Sequence, residues 1–102
     1  VDPSENAIAA PRTIELADAL DLPAAARLAE SLLKLVGEDL AIDASKVQRL
    51  GASCLQVLLS AARTWKAENT SLTLANGSER FIDDLRLLGF TPETLFSGAR
   101  TQ

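Results

Sequence analysis

Residues 40–59 read LAIDASKVQRLGASCLQVLL, and this stretch decides the fold. It opens on a short apolar run, Leu40-Ala41-Ile42, flanked by acids, which predicts a central strand over Asp39–Ala44. Ser45–Leu50 carries Lys46, Gln48 and Arg49 and reads as a connection. A helix is expected from about Ala52 to Ala67. Leu55, Leu58, Leu59 and Ala62 form its buried stripe, widened by Val57 and Ala61. The helix has no charge before Arg63, so other elements should cover most of it. Asn69 is placed to end it.

The flanking segments repeat the pattern. Arg12–Ala17 alternates, with Ile14 and Leu16 apolar between Thr13 and Glu15, and reads as a strand with one buried face. Asp21-Leu22-Pro23 is a helix start, an acidic cap followed by a proline in the first turn. Ala25, Leu28, Ala29, Leu32 and Val36 keep helical spacing, and Gly37 suits the end of that helix. Downstream, Ser71–Asn76 alternates again. Asn76-Gly77-Ser78 is turn and cap chemistry. A third helix is predicted to about Leu88, burying Phe81, Ile82, Leu85 and Leu88 and leaving Asp83, Asp84 and Arg86 in solvent. Gly89 ends it, and Thr91-Pro92-Glu93 caps a last short turn that packs Leu95 and Phe96. Residues 1–11 are expected to be a tail with a short extended piece at Ala7–Ala9, and residues 12–102 the domain. The order strand, helix, strand, helix, strand, helix favours parallel pairing through helical crossovers.

Composition narrows the function. The chain has 102 residues, 47% of them hydrophobic, which suits one domain with one modest core. Leu and Ala dominate its apolar residues, so the core should be helix-rich. Net charge is −4, and the basic residues are scattered with almost no aromatic interleaving, so nucleic acid is not the expected partner. With no histidine and a single cysteine, Ser-His and Cys-His catalysis, an internal disulfide and Cys/His metal sites are excluded. No metal and no cofactor is expected. No apolar run approaches the ~18 residues of a membrane span and no secretory signal opens the chain, so a soluble cytoplasmic domain is expected.

The strand end "IDAS-KV" and the helix start "LGASCLQVLL" carry a further resemblance. In this element order they are similar to the STAS domain, the module of sulfate transporters and bacterial anti-sigma factor antagonists. The "SLTLANGSERFIDDLRLLGF" segment resembles that family's last strand, turn and helix. The likeness covers about residues 12–90. It implies an α/β fold with a short mixed sheet, parallel strands and helices chiefly on one face. In the family an Asp-Ser-Ser-Gly-Leu pattern opens the second helix, and its third residue is phosphorylated. That position falls on Ser53, and Leu55 matches the family Leu. The pattern's Asp, first Ser and Gly are replaced here by Gly51, Ala52 and Cys54.

The resemblance implies a non-catalytic regulatory module, a phosphorylation-controlled protein–protein switch in bacterial signalling, as in anti-sigma antagonists or chemotaxis and two-component systems. Its partner would be a kinase-like anti-sigma factor or a signalling histidine kinase or receptor. The contact surface would centre on Asp43, Ser45, Lys46, Arg49, Gly51, Ala52, Ser53 and Cys54. The physical basis is that free backbone N–H groups at a helix start favour an anion such as a phosphate. Plainer readings stand beside these. Ser53 could cap its helix, Asp43 could hold the turn after its strand, Lys46 and Arg49 could be solvated loop charges, and Cys54 could be a small core residue. Two other functions fit the same residues: a constitutive, unphosphorylated STAS subunit of a membrane transporter assembly, and a thiol-dependent enzyme using Cys54.

Overall fold

The computed structural model describes residues 12–96. Its elements are β1 (Arg12–Glu15), β2 (Ala19–Leu20), α1 (Leu22–Leu33), β3 (Leu40–Ala44), β4 (Arg49–Leu50), α2 (Ala52–Ala67), β5 (Leu72–Gly77), α3 (Glu79–Leu87) and α4 (Pro92–Leu95). The expected tail and its extended piece at Ala7–Ala9 lie outside the described residues.

β3 is the middle strand of a three-stranded sheet ordered β1-β3-β5. Leu40 stands opposite Arg12 on one side and Leu72 on the other, and both pairings are parallel. The alternation that marked β3 is realised directly. Leu40, Ile42 and Ala44 are fully buried, while Ala41 and Asp43 are half-buried. Thr13 and Thr73, which flank Ala41 in register, are exposed. The helices therefore cover chiefly one face, as expected. Every strand pairing among the described residues is parallel, so the expected mixed character finds no antiparallel pair there.

α2 occupies the expected residues. Cys54, Leu55, Leu58, Ala61, Ala62 and Trp65 are buried along it, and α1 packs against it. Leu59 is only half-buried, because the wide apolar face of α2 turns its deepest line through Leu58 and Ala61. Asn69 takes a positive φ of 59° just after the helix. Asp21 caps α1, its carboxylate accepting from the Ala24 N–H at 3.2 Å. Ser78 caps α3, its hydroxyl accepting from the Phe81 N–H at 3.0 Å. Thr91 and Thr94 form a reciprocal capping box around α4, which seats Leu95 and Phe96 in the core. Among the described residues every buried side chain is apolar.

Four details depart from the pattern-based expectation. α1 stops at Leu33, a turn short of Val36, which packs from the following turn. Leu88 is 36% exposed, because α3 ends before it at Leu87. Asn76 and Gly77 belong to β5 rather than to the turn. Ser45–Leu50 is not only a connection: its last two residues are β4, which pairs in parallel with β2 as a second small sheet.

Candidate functional site

The residues singled out from the sequence fall into two groups joined by a pinned segment. The first group lies at the C-terminal end of β3. The Asp43 carboxylate accepts from the Ser45 N–H at 2.9 Å, a local turn that the Asp-x-Ser order builds. This bonding from Ser45, with help from the Lys46 charge, holds the Asp43 carboxyl below its ordinary range. Lys46 reaches the Glu15 carboxylate of β1 at 3.3 Å. Ser45 and Lys46 are exposed. In an open parallel sheet this edge, beyond the carboxyl ends of the strands, is where ligands and partners are commonly met.

The second group lies at the N-terminus of α2, against the start of α1. Gly51 is the N-cap and offers no side chain to the helix. Its N–H donates to the Leu20 carbonyl at 2.9 Å, and a Cβ at this position would stand 3.1 Å from the same carbonyl oxygen. The close approach of β2 is the physical counterpart of the glycine. Ala52 is exposed and Ser53 half-buried in the first turn. Because Gly51 holds the cap position, Ser53 does not cap α2, and among the described residues its hydroxyl has no hydrogen-bond partner. Its neighbour Cys54 points the other way. The thiol is fully buried and donates to the Asp21 carbonyl at 3.3 Å. Burial, together with the Asp21 charge, pushes it above the ordinary thiol value. Cys54 is thus the one residue of the expected contact set that lies in the core.

Arg49 links the groups, its side chain exposed and its backbone in β4. The segment between them is tied down on both sides. Gln48 and Arg49 donate their N–H groups to the Asp18 carbonyl at 2.7 and 3.2 Å. The Ser78 hydroxyl donates to the Val47 carbonyl, and the Leu50 N–H donates to the Asp84 carboxylate at 2.9 Å. Asp84, expected in solvent, is half-buried and engaged. Asp18 acts through its main chain, which leaves no mark in sequence, and Asp84 sits on a helix face that reads as polar.

Other chemistry is sparse. Among the described residues no three acidic or cysteine side chains gather as metal ligands, and no helix is long and apolar enough to cross a membrane. An apolar groove of about 320 Å³ between α1 and α2 is lined by Leu32, Leu33, Val57, Ala61 and Trp65 among others, and by none of the residues above.

The described residues thus form a small parallel α/β sheet whose pinned connector leads into a half-buried, non-capping serine in the first turn of α2. The chain belongs to the STAS family: the family model described as "Mlab, STAS domain" matches residues 6–95. That membership supports a regulatory or binding module in general. No curated protein and no solved structure matches the chain.

Proposed function

We propose that this chain is a non-catalytic binding module whose affinity for a protein partner is set by phosphorylation of Ser53. The partner class is a kinase-like anti-sigma factor or a signalling histidine kinase or receptor in a bacterial cytoplasm. One observation carries the reading: Ser53 is a half-exposed serine in the first turn of α2 that has no capping task. A serine kept at a helix start without that role is free to take a modification. In the transfer, the Ser53 Oγ forms a bond to the γ-phosphorus of ATP, ADP leaves, and the hydroxyl proton passes to a base. The partner brings the base, the ATP and the Mg²⁺. The product carries about −1.5 to −2 charges at pH 7. The unpaired N–H groups and dipole of α2 offset part of that charge, so the fold tolerates it. A partner surface shaped around a neutral hydroxyl does not. Asp43, Ser45, Lys46 and Arg49 extend the same surface along the end of β3.

The loss of an acid at Gly51 favours a second reading, a constitutive subunit of a transporter assembly that is never phosphorylated. Affinity capture on the intact chain, followed by intact-mass analysis, separates the two. Recovery of a kinase-like partner with an added phosphoryl mass supports the switch. Recovery of membrane-transporter subunits with an unmodified chain supports the second reading.

A further inference from the structure

The backbone N–H groups from Val47 to Gly51 lead directly into α2, and each is bonded. Val47 donates to Ala44, Gln48 and Arg49 to Asp18, and Gly51 to Leu20, all main-chain carbonyls. Leu50 alone donates to a side chain, the Asp84 carboxylate at 2.9 Å. The alternation has a cause. β4 has β2 on one side, and the N–H groups of Arg49 and Gly51 point there. The Leu50 N–H points the opposite way, where no strand follows, and α3 supplies the acceptor instead. A carboxylate is suited to this place because it accepts without offering a competing donor. α3 touches the connector a second time through its own N-cap, where the Ser78 hydroxyl donates to the Val47 carbonyl.

We propose that α3 braces the start of α2, and that Asp84, acting through Leu50, is the positioning residue for the surface around Ser53. The bond stands on its own geometry; its service to partner binding rests on the function proposed above. Cys54 provides the probe. It is the only cysteine, lies in the first turn of α2, and is fully buried. Its alkylation by iodoacetamide in the native chain therefore reports opening of that turn.

The experiment measures this rate, with amide hydrogen exchange at Leu50, in wild type, Asp84→Ala, Asp84→Asn and a control, Ile42→Val in β3. Hydrogen bonds to charged groups are strong enough that Asp84→Ala should raise both rates about tenfold or more. Asp84→Asn keeps a carbonyl acceptor but loses the charge, and should raise both rates clearly less than Asp84→Ala does. Ile42→Val removes one fully buried methyl group in β3, lowers global stability modestly, and should raise both rates less than Asp84→Ala does. Unchanged rates in Asp84→Ala overturn the proposal, as does an equal rise in Asp84→Asn or in the control at matched melting temperature. Should Asp84→Ala fail to fold, wild-type exchange decides alone. Protection of the Leu50 amide comparable to Gly51 is expected, and free exchange at Leu50 overturns the brace. None of these readouts involves ATP or a partner, so a failed brace and a failed phosphorylation switch give different results.

Discussion

The indole N–H of Trp65 donates to the backbone carbonyl of Glu38 at 2.7 Å, joining the last turns of α2 to the turn between α1 and β3. The Glu38 carboxylate in turn holds Arg12 at 3.0 Å, at the start of β1. Trp65 is 1% exposed, so this one side chain both fills the core and fixes where β3 begins. Trp65→Phe removes the donor and some volume together. The cost should be roughly 2 kcal/mol or more, which in a domain of this size lowers the melting midpoint by about 10 °C. Circular dichroism is the readout, since the substitution removes the chain's single tryptophan.

Leu58 tests the packing of α2 at its middle. It is fully buried, and a Leu→Ala change in such a place costs about 2–5 kcal/mol. Urea titration of Leu58→Ala should show a lower midpoint with the slope preserved. An unshifted midpoint would mean α2 is not the packed centre described above.

Asp43 predicts a pH dependence. Its folded-state pKa is depressed below 3.8, first by its bonds with Ser45 and then by Lys46. A group of this kind adds stability above its unfolded pKa and loses it as pH falls through the folded pKa. The melting difference between wild type and Asp43→Ala should therefore be constant near neutrality and shrink below about pH 4. A difference that grows on acidification contradicts the assigned bonding.

Cys54 separates the binding module from a thiol enzyme. A buried thiol with a raised pKa is a poor nucleophile at neutral pH. Its alkylation in the native chain should be far slower than in urea. Rapid native-state reaction would revive the enzymatic reading.

For Ser53, folding and binding should part company. Ser53 is half-buried in a helix first turn, so Ser53→Ala and Ser53→Asp should both keep wild-type stability within about 1 kcal/mol. The aspartate also meets a favourable helix dipole. In calorimetric titration against the captured partner, Ser53→Asp should bind about tenfold or more weakly, and Ser53→Ala like wild type. Equal binding by all three forms, with no label taken from ATP, would leave the constitutive-subunit reading in place.

The legible parts of this molecule are those with a period. Leu40, Ile42 and Ala44 repeat every second residue, and the α2 residues repeat every third or fourth, so both elements follow from sequence. The caps at Asp21, Ser78 and Thr91 were equally readable, because cap chemistry is local. Ala19-Leu20 and Arg49-Leu50 were not, since a strand of 2 residues has no period to detect. Its partners are chosen by tertiary contacts. The same limit hid the part played by Asp84: a carboxylate on an apparently polar helix face gives no sign that it meets a backbone N–H 34 residues away. At the candidate site, the place of Ser53 in the first turn of α2 and the turn at the end of β3 could be read from the sequence, whereas the role expected of Ser53 came from the family resemblance. Cys54 carried two readings in the sequence, contact residue and small core residue, and its burial bears out the plainer one.

The central place of β3 bears on how the chain reaches this structure. Among the described residues neither β1 nor β5 has a strand partner other than β3, so for these pairings each must wait for β3. Arg12 and Leu72 both lie roughly 30 residues from Leu40, and loop-closure entropy depends only weakly on length, so neither pairing is favoured to form first. Two routes to the native state should thus run in parallel, one through each crossover helix. Both begin from the same template and need distant contacts, which places folding on the slower side for a domain this small.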